Sequence, residues 1–60
     1  SDRERDCLAF MADGYRNKEI ADRLDIAETT VRFHIKNACR KLGAKTRAQA
    51  VARLANLRLL

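Results

Sequence analysis

Apolar residues recur along this chain at intervals of three and four, the spacing that places side chains on one face of an α-helix. The clearest stripe lies in residues 28–42. It consists of Val31, Ile35, Ala38 and Leu42. Weaker stripes of the same kind lie in residues 2–13, 17–24 and 47–56. The pattern therefore predicts an all-α, compact four-helix domain with helices over these four ranges.

Short breaks separate the predicted helices. Gly14 and Gly43 follow the first and third helices, where glycine adopts the left-handed conformation without strain. Asp25 lies between the second and third helices, at a position where a tight turn needs a left-handed residue, and Asp tolerates that conformation. Residues 17–42 are therefore predicted to form a helix-turn-helix.

Helix four carries more apolar surface than one core contact needs. Ala50, Val51 and Leu54 form a stripe suited to the core. A second stripe consists of Ala48, Ala52, Ala55 and Leu59. Because a domain this small cannot easily bury both, the second stripe is either a self-association surface or an Ala-rich solvent face that favours the helix.

Length and composition exclude several classes of function. The chain has 60 residues, so we expect residues 1–60 to form a single domain with a small core and no sizeable substrate pocket. No nucleophile–base pair or phosphate-binding glycine loop is evident, so we expect no enzymatic activity. Cys7, Cys39 and the single His34 lack metal-ligand spacing, and we expect no metal and no cofactor. His34 is expected to be structural, and the cysteines to be reduced, partly apolar residues of a cytoplasmic protein without a membrane span.

Charge is divided unevenly along the chain, although the net charge is only +5. Residues 1–29 carry five basic and eight acidic side chains, a net of −3. Residues 30–60 carry eight basic and no acidic side chains, a net of +8. The second half therefore predicts a positive face suited to a polyphosphate partner, although a solvated basic surface would explain the charge equally well.

The outward face of helix three carries residue types that read DNA. Arg32 and Lys36 lie one turn apart, the spacing needed to meet neighbouring base pairs in the major groove. Arginine matches the paired O6 and N7 acceptors of guanine, which gives roughly 1–3 kcal/mol of discrimination. Phe33 either contacts a thymine methyl or packs on helix four or a partner. Thr29 and Thr30, in the first turn, can contact phosphate through their hydroxyls and the free amides.

A further pattern of residues extends over essentially the whole chain. Its members are Arg3, Glu4, Leu8, Gly14, Asn17, Lys18, Glu19, Ile20, Ala21, Leu24, Ile26, Thr30, Val31, His34, Lys41, Leu42, Gly43, Arg47, Gln49, Ala50 and Val51. This pattern resembles the LuxR-type (GerE-like) helix-turn-helix domain of bacterial transcriptional regulators, and so many matches in register are more specific than a lone motif. The resemblance implies a third helix that enters the major groove and a fourth helix that forms a two-fold dimer contact.

The resemblance also implies roles for individual residues. Base-edge contacts would come from Arg32, Phe33 and Lys36. Phosphate contacts would come from Asn17, Lys18, Thr29, Thr30, Asn37, Arg40, Lys41 and Arg47. The dimer interface would lie on Ala48, Ala52, Ala55 and Leu59. Glu4 and Arg47 are candidates for an ion pair between helices one and four, or else form a solvated pair that contributes little.

Two positions depart from the family pattern, both at helix starts. Ala27 stands where the family usually has a Ser or Thr that caps helix three, and its loss costs about 1 kcal/mol unless phosphate satisfies the amides. Arg16 occupies a position often held by a capping Ser, Thr or Pro. Neither residue lies on the proposed base-reading face.

We therefore expect sequence-specific binding of double-stranded DNA, by a dimer on an inverted repeat. The domain is expected to be the C-terminal piece of a larger regulator, such as a response regulator or quorum-sensing protein, with a possible contact to RNA polymerase. The alternative is a helical protein-interaction module that docks through helix 47–56.

Overall fold

The computed structural model of the chain describes residues 2–59, with side chains described as far as residue 57. This part of the chain forms four α-helices and no strand. The helices are α1 (Asp2–Ala12), α2 (Asn17–Leu24), α3 (Glu28–Lys41) and α4 (Arg47–Leu59). α3 packs against α1 and α2, and α1 also contacts α2 and α4. The predicted all-α, four-helix fold is confirmed.

Three helix ends differ from the predicted ranges. α1 ends at Ala12 and α3 at Lys41, each one residue earlier than predicted, because the chain there tightens into a glycine turn. α4 continues to Leu59 rather than ending at Asn56. Neither Gly nor Pro follows Asn56, and the Leu and Arg residues that do follow favour the helix.

The turns between helices depend on residues with positive φ. Gly14 has a φ of 93° and Gly43 a φ of 68°, values that glycine adopts without strain. Asp25 has φ 55° and ψ 48°, which confirms the left-handed conformation predicted for it. The chain then turns so that the Ile26 N–H donates to the Ala21 carbonyl over 3.1 Å, at the junction of α2 and α3.

Buried residues of all four helices form the core. They are Cys7, Met11, Ile20, Ala21, Val31, Ile35, Ala38 and Ala50. Val31, Ile35 and Ala38 belong to the predicted stripe of helix three, whereas Leu42, which was also predicted to face the core, is half-buried. Ala50 belongs to the predicted stripe of helix four. Cys7 and Cys39 are free thiols, and burial raises the pKa of the Cys7 thiol. Cys7 is therefore a small residue of the core.

The helix starts are capped unequally. At α4, Thr46 Oγ1 accepts a hydrogen bond from the Gln49 N–H over 3.1 Å. At α2, the Arg16 N–H donates to Glu19 Oε1 over 2.8 Å, although the guanidinium has no acceptor atom to cap the helix in return. At α3, Ala27 has the extended backbone of an N-cap and no side-chain cap hydrogen bond. The start of α3 therefore keeps amides that an external acceptor can reach.

Candidate nucleic-acid interface

α3 has one buried face and one exposed face. Val31 is 0% exposed and Ile35 is 7% exposed, on the side that packs against α1 and α2. The Arg32 side chain is 66% exposed, and Lys36, one turn further on, is exposed as well. The two cations therefore project from the domain while their apolar neighbours are hidden behind them, the orientation that base reading requires.

Phe33 lies beside this cationic pair and is 61% exposed. Its ring forms an edge contact with the His34 ring, with the centroids 6.0 Å apart. Packing of Phe33 into the core or under α4 would have hidden the ring, so the exposed position leaves it available to a ligand. His34 itself is half-buried at the edge of the core, with a buried Nδ1 that has no hydrogen-bond partner among the described residues.

Arg47 connects the start of α4 to the loop between α1 and α2. Its Nη1 donates to Asn17 Oδ1 over 2.6 Å, and its Nη2 donates to the Tyr15 carbonyl over 2.8 Å. Arg47, Asn17 and Lys18 line one concave surface together with Arg16. The fold thus brings together three of the residues predicted to contact phosphate, although Arg47 lies 30 positions after Asn17 in the chain.

Lys41 forms the ion pair that had been predicted for Arg47. Its Nζ lies 2.8 Å from Glu4 Oε1, and the Glu4 side chain is only 15% exposed. The hydrogen bond from Lys41 lowers the pKa of the Glu4 carboxyl. The predicted Glu4–Arg47 pair is wrong, because Arg47 lies beyond the far end of α1. About 12 Å of helix separates Glu4 from that end at a rise of about 1.5 Å per residue.

The other predicted phosphate contacts lie on or beside the exposed face of α3. Arg40 Nη2 donates to Asn37 Oδ1 over 3.1 Å, and the Asn37 side chain is half-buried. Thr29 is exposed, whereas Thr30 is half-buried. Lys18, on α2, is exposed as well. Polar partners within the protein therefore hold some of these side chains in place, and others are free to extend toward a ligand.

A cationic groove runs between α3 and the connection to α4. Its basic residues are Arg32, Lys36, Arg40, Lys45 and Arg47. Lys45 was missed by sequence reasoning, and the signal that could have found it is its position directly before the Thr46 cap. The groove places a basic loop beside the proposed base-reading helix.

Glu28, in the first turn of α3, was also missed. Its Oε2 lies 3.5 Å from Nη2 of Arg32, with both side chains well exposed. A carboxylate four residues before a basic side chain on one helix is a readable pairing signal. Arg32, one of the two exposed cations of the proposed reading face, thus has an acidic neighbour.

The outer face of α4 is exposed and apolar. Ala48, Ala52 and Ala55, three of the four residues predicted for the dimer interface, are all exposed. The side chain of Leu59, the fourth residue of the predicted dimer interface, lies outside the described residues. The domain therefore does not bury the second stripe of α4 on itself over the described side chains.

Within residues 2–59, no group of three or more His, Cys, Asp or Glu side chains could hold a metal ion. None of the helices described for this chain combines the length and apolar character that crossing a bilayer requires.

Comparison with known proteins places the chain among bacterial regulators. The family described as "Bacterial regulatory proteins, luxR family" matches residues 1–54. The transcriptional activator protein VanR of Vibrio anguillarum is 49% identical over 51 residues, which cover 85% of this chain and 21% of VanR. The nitrate/nitrite response regulator protein NarL of Escherichia coli (strain K12) is 50% identical over 48 residues, which cover 80% of this chain and 22% of NarL.

A shorter relative is matched over most of its length. The spore germination protein GerE of Bacillus subtilis (strain 168) is 50% identical over 52 residues, which cover 87% of this chain and 70% of GerE. The chain therefore spans about a fifth of the longer relatives, at 21% of VanR and 22% of NarL.

Proposed function

This chain belongs to the luxR family of bacterial regulatory proteins, and from this premise we propose that it is the sequence-specific DNA-binding domain of a transcriptional regulator. The observation that carries the proposal is the division of α3, with Val31 and Ile35 buried and Arg32 and Lys36 exposed one turn apart. VanR is named a transcriptional activator and NarL a response regulator, and both match this chain at about half of the aligned positions.

α3 enters the major groove with its exposed face toward the base edges. Arg32 donates two hydrogen bonds to O6 and N7 of a guanine, and Lys36 contacts an acceptor on a neighbouring base pair. Phe33, whose ring is 61% exposed, presses on a thymine methyl. Arg32 thus supplies a bidentate guanidinium, Lys36 a single ammonium group and Phe33 an apolar contact.

Phosphate contacts hold α3 in register on the duplex. They come from Asn17, Lys18, Thr29, Thr30, Asn37, Arg40, Lys41 and Arg47. Arg47 has five N–H donors and uses Nη1 and Nη2 for Asn17 and Tyr15, so these contacts direct it while further donors stay available. The uncapped amides at the start of α3 also bind phosphate, which compensates for the cap that Ala27 lacks.

The proposal extends to assembly and location. The exposed apolar face of α4, formed by Ala48, Ala52 and Ala55, forms a homodimer contact that matches an inverted repeat, and Leu59 completes the proposed interface by its position in the sequence. The same face supports the alternative, a module that docks on another protein such as RNA polymerase. The family is one of regulatory proteins, so the proposal includes no enzymatic activity, and a DNA partner implies the bacterial cytoplasm.

Binding to selected DNA tests the proposal. The protein first selects its preferred duplexes from a random pool. The wild-type domain and the variants Arg32→Ala, Lys36→Ala and Arg5→Ala are then each titrated with the selected duplexes and with unselected duplexes. Loss of a bidentate arginine contact lowers discrimination by roughly 5- to 150-fold, which corresponds to about 1–3 kcal/mol. Arg5 is exposed and belongs to α1 rather than to the reading helix, so its variant controls for the lost charge. Unchanged affinity and preference in both α3 variants would overturn the assignment.

Salt dependence tests the phosphate contacts separately. Lys18→Ala is expected to weaken binding to selected and unselected duplexes alike and to reduce the slope of log K against log salt by about 1. Light scattering on the same samples distinguishes the dimer from the docking module. The docking module requires binding to a protein partner without any preference among duplexes.

A further inference from the structure

Glu28 places a negative charge on a helix whose other charged residues are basic. It is the last acidic residue of the chain, and the helix that it begins otherwise carries the cations Arg32, Lys36, Arg40 and Lys41. A carboxylate beside a DNA-reading surface repels the phosphate backbone and lowers affinity for every duplex. One effect of Glu28 is to stabilise α3, because an acidic residue in the first turn interacts favourably with the helix dipole.

The contact with Arg32 points to a second role. Glu28 Oε2 lies 3.5 Å from Arg32 Nη2, and the side chains are 47% and 66% exposed. Glu placed four residues before a basic partner is the favourable order on a helix. The guanidinium has five N–H donors, so a carboxylate on one edge leaves the other edge available to the paired acceptors of guanine.

We propose that Glu28 is a positioning residue that makes Arg32 selective for its base. This inference rests on the proposed DNA-binding function. Glu28 holds the flexible Arg32 side chain along α3, and its charge opposes transfer of the guanidinium to a nearby phosphate. Arg32 therefore contributes to binding mainly where a guanine presents both acceptors. Glu28 thus lowers the affinity for all duplexes and increases the discrimination between sequences.

The variant Glu28→Gln tests this role because it keeps the shape of the side chain and removes the charge. Because the variant lacks one negative charge, we expect it to bind unselected duplexes roughly eightfold more tightly than the wild type at 0.1 M salt. Binding to the selected duplex is expected to rise less, so discrimination at the Arg32 base pair falls several-fold. That base pair is identified as the one whose preference is lost in Arg32→Ala.

Asp6→Asn is the matched control. Asp6 forms an exposed ion pair with Arg3, 3.8 Å apart, on α1, which packs on the core side of α3. The substitution removes the same charge and a similarly exposed ion pair from α1 rather than from α3. We expect Asp6→Asn to change the affinity for unselected duplexes much less than Glu28→Gln does, and to leave discrimination between duplexes unchanged. Circular dichroism checks that each variant is folded.

A double-mutant cycle separates positioning from direct base reading. In the Arg32→Ala background, Glu28→Gln is expected to leave the remaining preferences of the site unchanged, because the residue through which Glu28 acts is gone. A loss of preference at another base pair, caused by Glu28→Gln in both backgrounds, would show that Glu28 reads a base itself, which overturns the proposal. A wild-type domain without sequence preference overturns the DNA-binding function, whereas a selective wild type with an equally selective Glu28→Gln variant overturns the role of Glu28 alone.

Discussion

Ala27→Ser is expected to stabilise the domain by completing the cap of α3. Ala27 has φ −68° and ψ 148°, the extended backbone of an N-cap residue, and it is exposed. Its carbonyl already accepts hydrogen bonds from the N–H groups of Thr30 and Val31, at 3.0 and 3.1 Å. The methyl side chain cannot accept one, so a serine oxygen at this position adds an acceptor for the first-turn amides without moving the backbone.

The magnitude follows from the geometry of the cap. Replacing Ala by Ser at an N-cap gains typically about 1 kcal/mol, within a range of about 0.5–2. Because the Thr30 N–H already has a backbone acceptor, the gain comes chiefly through Thr29, and we expect about 1 kcal/mol. A domain of 60 residues has a total stability of roughly 3–9 kcal/mol. The melting temperature should therefore rise by about 4–8 °C.

Urea and thermal unfolding, followed by far-ultraviolet circular dichroism, measure this gain. Ala52→Ser is the matched control, because it makes the same chemical change at an exposed position in the middle of α4. There a serine has no free amide to bond and is expected to cost about 0.5 kcal/mol. If Ala27→Ser destabilised the domain as Ala52→Ser does, the start of α3 would not be an unfilled cap.

Two further predictions concern the core and the Lys41 ion pair. Val31→Ala removes a fully buried side chain, 0% exposed, and should lower the free energy of unfolding in urea by about 2–3 kcal/mol; Leu57→Ala, at an exposed position, should change it by less than about 0.5 kcal/mol. Lys41→Met should destabilise the domain at neutral pH. Lys41 lowers the pKa of Glu4 in the folded state, so its contribution is present above the ordinary value of 4.5 and is lost as the pH falls through the lowered pKa. Urea unfolding as a function of pH measures this, and a destabilisation that persisted unchanged in acid would refute the role of the pair, with Lys36→Met as the pH-independent control.

Local features of this protein could be predicted from the sequence because they depend on residues a few positions apart. The buried stripe of α3, the left-handed turn at Asp25 and the outward position of Arg32 and Lys36 all follow from helical periodicity and backbone preference. The family resemblance needed no more than residue types in register, and the match over residues 1–54 confirms it. The assignments of bases, phosphates and a dimer face stay predictions.

Contacts between distant segments depend on how the helices pack, which periodicity does not encode. Glu4 is paired with Lys41 rather than Arg47 because the end of α3, and not the start of α4, lies beside the first turn of α1. Arg47, the first residue of α4, is instead held by Tyr15 and by Asn17, the first residue of α2, so the starts of these two helices share one surface. A repeat of three and four tells which face of each helix is buried, but the angle and offset at which two helices meet come from the fit of their side chains. The tertiary structure therefore determines which distant polar residues are paired, whereas the order of residues along α3 is enough to predict its exposed face.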